Sequence, residues 1–142
     1  MKIRLLMLGK TRRPEMRAVL DDYVKRIGHQ SPIEVTEVRD ATAALKKIDA
    51  DRAAVVVLLD AAGKSFSSEA FAKWLAEQRD RGTRELIFLC GDADGFPDTL
   101  RQRAHQKMSL SAMTFSHELA RVMLAEQLYR AFAILSGSPY PK

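Results

Sequence analysis

Short apolar runs recur along this chain with helical patterns between them, and that alternation restricts the fold more than any other feature. The runs are IRLLML at 3–8, IEVTEV at 33–38, AAVVVLL at 53–59, ELIFLC at 85–90 and KMSLSAM at 107–113. Each has the length of a buried strand. After the first run, Pro14 opens a helix in which Met16, Val19, Leu20, Tyr23 and Ile27 line one face before Gly28 closes it. Ser67 caps another helix, with Phe71, Trp74 and Leu75 sharing a face and Gly82 at its end. The segment DATAALKKIDAD is a shorter helical pattern. The longest covers 117–136, where Leu119, Val122, Met123, Leu124, Leu128, Ala131, Phe132 and Leu135 spread over a wide arc. So broad an apolar face predicts burial against more than one surface, a second subunit among them. Strand and helix in alternation predict an α/β domain with a largely parallel sheet and helices on both faces. A chain of 142 residues with 46% hydrophobic content and no linker or repeat reads as one domain over 1–142.

Parallel sheets bind their ligands beyond the carboxyl ends of the strands. The loops to examine are therefore DAAGKSFSS after Leu59, CGDADGFPD from Cys90, and SAMTFSH after Leu110. The second invites a calcium reading. However, placing Gly95 at the sixth position of an EF-hand loop puts Cys90 first and Arg101 last, where acidic ligands are required. A dinucleotide fingerprint fails too, since GDADG lacks a glycine and follows the fourth run instead of the first. The AAGKS stretch resembles the tail of a phosphate loop, yet Leu58 stands where its first glycine belongs. His29, His105 and His117 have no metal-ligand spacing, and no metal is expected. Cys90 reads as a small core residue.

The net charge of +5 is concentrated near the N-terminus, where the first 30 residues hold eight Lys/Arg against three Asp/Glu, leaving fifteen of each elsewhere. A basic face of this kind suits a polyanion, nucleic acid foremost, or is a solvated surface with no partner. Arg12, Arg13 and Arg17 are the candidates for contact with RNA. One cysteine excludes an internal disulfide, no apolar stretch has secretory or membrane-spanning length, and a cytoplasmic setting is expected.

Residue types alone go no further, but four longer stretches do. MKIRLLMLGK, LLDAAGKSFSSEAFA, the loop at Gly91, and the block LSAMTFSHELARVMLAEQLYRAFAILSGSPYPK together resemble the ribosomal RNA large subunit methyltransferase H family of the SPOUT superfamily. The resemblance runs nearly the full length and varies most at about 39–53. It implies a parallel α/β sheet with a C-terminal trefoil knot, acting as a homodimer. Periodicity would not suggest a knot, since knots are nearly absent from proteins. The implied reaction is methyl transfer from S-adenosylmethionine to N3 of a pseudouridine in large-subunit ribosomal RNA, free or within an assembled ribosome.

By matching positions, the resemblance implies cofactor contacts at Leu59, Gly91, Leu110, Ser111, Ala112, Met113, Thr114 and Phe115. Leu59 and Met113 would cover the faces of the adenine, and a glycine at 91 would let the backbone approach closely. For the chemical step it implies His117 as a base, Arg130 as a stabiliser of the imide anion or a phosphate clamp, and Tyr140 as a tail contact. Each has a plainer reading, in which His117 supports the helix start, Arg130 pairs with Glu126, and Tyr140 packs. Two departures stand out. The family's second glycine is Asp92 here, whose carboxylate either attracts the cofactor's cationic groups or restricts the loop; and Pro141 follows Tyr140 where the family has histidine. A protein that has kept this fold and binds ribosomal RNA without transferring methyl groups is the rival expectation.

Overall fold

The structure, a computed structural model, describes residues 1–140; Pro141 lies outside them. Five parallel strands form one sheet: β1 (Lys2–Leu8), β2 (Ile33–Val38), β3 (Val55–Ser65), β4 (Glu85–Cys90) and β5 (Gln106–Ser109), in the order β2-β1-β4-β3-β5. The helices are α1 (Pro14–Gly28), α2 (Ala41–Asp49), α3 (Ser68–Asp80), α4 (Asp98–Arg101) and α5 (His117–Ser136).

The strands are apolar throughout because both faces are covered, and the side-chain period of two divides each strand between two cores. Ile3, Leu5 and Met7 of β1, with Leu86, Phe88 and Cys90 of β4, pack under α1, α3 and α5. Their neighbours Leu6, Leu8, Ile87 and Leu89 face the other way, toward Ala44 and Ile48 of α2 and Leu100 of α4. Each such side chain contributes about 1.5–3 kcal/mol on burial, so a one-residue slip of either strand would misplace both sets at once.

The helix ends follow local chemistry. Pro14 occupies the first turn of α1, Asp40 accepts the Ala43 N–H at the start of α2, and Ser67 accepts the Ala70 N–H at 3.0 Å to start α3. Gly137 closes α5 in the left-handed region, with φ of 74°. Gly28 ends α1 with ordinary backbone angles, and the His29 N–H after it bonds back to the Arg26 and Ile27 carbonyls.

Three features differ from the sequence expectation. The run at 107–113 is a strand only through Ser109, because the Ser109 hydroxyl donates to the Ser111 carbonyl (2.9 Å) and the Ser111 hydroxyl accepts the Met113 N–H (3.0 Å), turning the chain out of the ladder. Strand β3 continues past Leu59 to Ser65: Leu59 and Lys64 both stand opposite Met108, so 60–63 bulge away between them. Helix α4, a single turn, is too short to show any periodicity. The broad face of α5 meets several surfaces within this chain. Leu124, Ala125, Leu128, Ala131 and Phe132 are buried among the sheet, α1 and α3, while Met123 and Ile134 remain exposed.

Candidate functional site

At the carboxyl ends of β3, β4 and β5 the three loops singled out from the sequence converge on a cavity of about 470 Å³. Its walls include Leu59, Gly91, Leu110, Ser111, Met113, Thr114 and Phe115; Ala112, on the same loop, is exposed and lies off the lining. The volume suits a small organic ligand. Met113 is 76% exposed at the rim, an apolar side chain held in water beside half-buried Leu59 and Phe96. Such an arrangement gains when a flat apolar group slides between them. Among the described residues, the main-chain N–H groups of Thr114 and Phe115 make no hydrogen bond within the chain and are free to donate to the edge of a ligand.

The walls are held by local chemistry. Asp92 acts within its own loop: its Oδ1 accepts the Asp94 N–H at 2.9 Å and its carbonyl accepts the Gly95 N–H at 3.1 Å, so this residue shapes the turn. Gly95, with φ of 77°, completes it. Gly91 has no unusual backbone angle; a β-carbon there would lie 3.3 Å from the Phe96 ring and 3.4 Å from the Gly95 carbonyl. Its need for glycine is spatial. Across the cavity Asp60 pairs with Arg101, joining the end of β3 to α4. The Ala62 N–H, and then Arg101, hold the Asp60 carboxyl below its ordinary range.

His117 lines the cavity at the first turn of α5, half-buried, with Nε2 4.0 Å from Glu118 Oε2. The capping role belongs to its neighbour Ser116, which accepts the Leu119 N–H at 3.4 Å, leaving the imidazole unengaged by the helix. Arg130 and Tyr140 are elsewhere. From position 117 to position 130 the helix rises about 20 Å, and neither residue lines the cavity. Arg130 Nη2 donates to Glu126 Oε2 at 2.7 Å and stacks over the Tyr140 ring at 5.2 Å; the Tyr140 hydroxyl donates to the same Glu126 oxygen at 2.7 Å and lies 3.2 Å from the Tyr23 hydroxyl. Burial would raise Glu126, but the bonds from Arg130 and Tyr140 outweigh it and hold the carboxyl low. Burial and the Glu126 bond push the Tyr140 phenol well up. This is a neutralised cluster on the far half of α5.

The other candidates have structural partners. His105 Nδ1 accepts the Val56 N–H at 2.9 Å while the main-chain N–H of His105 donates to the Val56 carbonyl, binding the start of β5 to β3. Cys90 is 2% exposed at the cavity floor, and burial pushes its thiol up to about 12. Among the described residues no group of His, Cys, Asp or Glu could hold a metal ion, and no helix is long and apolar enough to cross a membrane.

A fourth loop at this end of the sheet, residues 9–13 after β1, carries Arg12 and Arg13 of the basic candidates, and sequence reasoning missed the buried arginine beneath it. Arg121 is 0% exposed. Its Nη1 donates to Thr11 Oγ1 at 2.9 Å and its Nη2 to the Leu8 carbonyl at 2.6 Å, and Glu37 Oε2 is 3.9 Å away. Burial lowers its pKa, with Glu37 and Glu118 opposing. Its spacing to Leu124, Ala125, Leu128 and Phe132 puts Arg121 on the buried stripe of α5, a signal that its charge masks by making it look like an exposed interruption. Arg17, expected to meet RNA, donates to the Thr11 carbonyl (3.1 Å) and to Glu37 Oε2 (2.7 Å), so its guanidinium is already engaged.

A parallel α/β sheet with a ligand cavity formed by the loops after its third, fourth and fifth strands, closed by a long C-terminal helix, defines the methyltransferase class to which the comparisons point. A family described as predicted SPOUT methyltransferase matches residues 1–141. The chain belongs to that family and, within it, to the ribosomal RNA large subunit methyltransferase H group. Proteins of that name from Geotalea daltonii (42% identical, 99% of each chain), Dinoroseobacter shibae (43%, 99% of this chain and 98% of the other) and Solibacter usitatus (44%, 99% of each) are similar end to end. Among solved structures, a probable methylase family protein from Haemophilus influenzae Rd KW20 superposes with a TM-score of 0.63 at 10% identity, covering 99% of this chain and 70% of that one. The SpoU methyltransferase AviRb from Streptomyces viridochromogenes, in complex with AdoMet, superposes with a TM-score of 0.51 at 12% identity over 97% of this chain and 61% of that one. These two share the fold.

Proposed function

We propose that this protein transfers the methyl group of S-adenosylmethionine to N3 of a pseudouridine in large-subunit ribosomal RNA, as a homodimer with a single domain over 1–142 and a C-terminal knot, in the cytoplasm. The observation that carries the reading is the convergence of Leu59, Gly91, Leu110, Ser111, Met113, Thr114 and Phe115 on one cavity. The full-length similarity to proteins named for ribosomal RNA methylation supplies the substrate class.

The residues present fit the cofactor. Leu59 and exposed Met113 offer apolar cover for an adenine, and the Thr114 and Phe115 N–H groups offer donors for its edge. When bound, S-adenosylmethionine supplies an activated methyl group open to in-line attack. The protein's part is to orient the base against that methyl and to remove the N3 proton. His117 Nε2, at the cavity wall and free of strong bonds, is placed to take that proton. Arg130 lies about 20 Å along α5 from it, and Tyr140, past the end of the helix, is bonded to Glu126 and off the cavity, so a role for either in the same event requires the far end of a second copy's helix. Exposed Met123 and Ile134 support α5 as the dimer contact. The knot reading is supported by the return of the chain from edge strand β5 to a place between α1 and α3, and by the close passage of Gly63 over the backbone of β5.

Titration calorimetry with S-adenosylmethionine tests the reading. Saturable binding at the cavity is expected; a flat titration of folded protein would overturn it.

A further inference from the structure

We propose that the loop between β1 and α1 is a phosphate-binding arm, in which Lys10 and Arg12 contact backbone phosphates of the RNA beside the cavity, and that Glu118 is the positioning residue that fixes the arm in place. This rests on the reading of the protein as an enzyme of ribosomal RNA.

The loop leaves the carboxyl end of β1, the same end of the sheet as the cavity, and its main chain is held at successive residues. The Thr11 N–H donates to Glu37 Oε2 at 2.8 Å, the Arg12 N–H to Glu118 Oε2 at 2.9 Å and the Arg13 N–H to Glu118 Oε1 at 3.0 Å. From below, Arg121 donates to the Thr11 hydroxyl and Arg17 to the Thr11 carbonyl. Two carboxylates and two guanidiniums, mutually neutralising, thus set the course of a five-residue loop spanning 9–13. What the loop turns outward is positive. Lys10 and Arg12 are exposed and, among the described residues, have no acidic partner, whereas Arg13 is paired with Glu15 at 3.3 Å.

Glu118 joins this arm to the cavity. It is adjacent in the chain to His117, which lines the wall, so the same helix start carries both the arm's anchor and the cavity's imidazole. Both Glu118 oxygens are spent on main-chain donors, and the carboxyl is held low by the Arg12 N–H first and the Arg13 N–H after it. That makes it an anchor and unfit as a base. Exposed Asp92 and Asp94 lie on the loop after β4, the strand beside β1, so a polyanion is favoured on the side of Lys10 and Arg12 that faces away from that loop.

The test uses the full-length protein with purified large ribosomal subunits and with a large-subunit ribosomal RNA transcript, measuring affinity across a salt series alongside S-adenosylmethionine affinity and methyl transfer. Lys10→Gln with Arg12→Gln should lower RNA affinity about tenfold and flatten the slope of log K against log salt by about 1.5, the loss of two phosphate contacts. S-adenosylmethionine affinity should stay within about twofold of the parent. Glu118→Ala should flatten the slope in the same way and should not add to the double variant when combined with it, since both remove the same contacts. Glu118→Gln, which keeps the side chain's shape and one acceptor, should fall between. An unchanged salt slope in the Lys10/Arg12 variant overturns the arm, and full additivity with Glu118→Ala overturns the positioning role. A parent that shows the slope but transfers no methyl group would remove the functional reading and leave the arm standing; a parent that methylates while the double variant keeps its slope does the reverse.

Discussion

A β-carbon on Gly63 would lie 2.6 Å from the backbone carbonyl carbon of Lys107. Glycine at this point of β3 lets two strands' main chains touch where 60–63 bulge around Met108 of β5, and both are backbone, which cannot swing aside. Gly63→Ala should therefore destabilise the protein by about 1–3 kcal/mol or more. Gly28→Ala, at the end of α1 with open space around it and an ordinary φ, should be neutral or slightly stabilising. Thermal melting of the two variants checks this; equal melting temperatures would contradict the close passage.

Gly91→Val places a branched side chain against the Phe96 ring and the Gly95 carbonyl. The loop that forms one wall of the cavity must then move. S-adenosylmethionine affinity should fall at least tenfold, about 1.4 kcal/mol, with the fold intact because the loop lies beyond the sheet. Leu59→Ala should be milder, removing cover without adding an obstruction. Calorimetry on both variants, with circular dichroism as the control for folding, decides it: parental affinity in a folded Gly91→Val protein would place the ligand elsewhere.

Acid should unfold this protein through a small set of carboxylates. Glu118 is held low by the N–H groups of Arg12 and Arg13, Asp60 by the Ala62 N–H and Arg101, and in Glu37 the Thr11 N–H and Arg17 outweigh the burial that would raise it. A carboxyl with a depressed folded pKa adds stability that is fully present above its unfolded value, about 4.3 for Glu and 3.9 for Asp, and that is lost as pH falls through the folded value. Melting temperature should hold from neutral pH to about 5 and then drop, with the drop shallower in Glu118→Gln. Parallel curves for parent and variant would contradict the assignment.

Arg17→Ala should act on stability and leave the salt dependence of RNA binding as it is. Its guanidinium bonds the Thr11 carbonyl and Glu37, and removing it leaves Glu37 with only the Thr11 N–H and distant Arg121. A loss of about 1–2 kcal/mol in denaturant unfolding is expected, since hydrogen bonds to charged groups contribute more than neutral ones. A flattened salt slope with unchanged stability would return Arg17 to the RNA-binding face.

The α/β class and the positions of the three loops were legible because buried parallel strands must be apolar on both faces, as IRLLML and ELIFLC are. Strand limits were less so. KMSLSAM is apolar enough to run on, and only the hydroxyls of Ser109 and Ser111 turn the chain out of the ladder. Arg121 shares its helical face with Leu124, Ala125 and Leu128, which marks the position, but its partners Leu8 and Thr11 are more than a hundred residues away in sequence and could not be read. For the same reason Arg12 and Arg17, close in sequence and equally charged, could not be told apart. One is exposed and unpaired among the described residues, and the other is bound to Glu37 across twenty positions. His117 was readable as a cavity residue because it begins the long helix, and its separation from Arg130 follows from both lying on that one helix, whereas the place of Tyr140 is set by its contacts with Glu126 and Tyr129, which no spacing reveals.

The central claim is methyl transfer to ribosomal RNA, and the most direct measurement is transfer of labelled methyl from S-adenosylmethionine to large-subunit ribosomal RNA, supplied both as a transcript carrying pseudouridine and as assembled ribosomes, with nucleoside mass spectrometry to locate the label. The account predicts a methylated pseudouridine, made by the parent protein and lost in Gly91→Val. Binding of S-adenosylmethionine and of ribosomes with no label in either substrate would contradict it and favour a ribosome-binding protein that has lost the reaction.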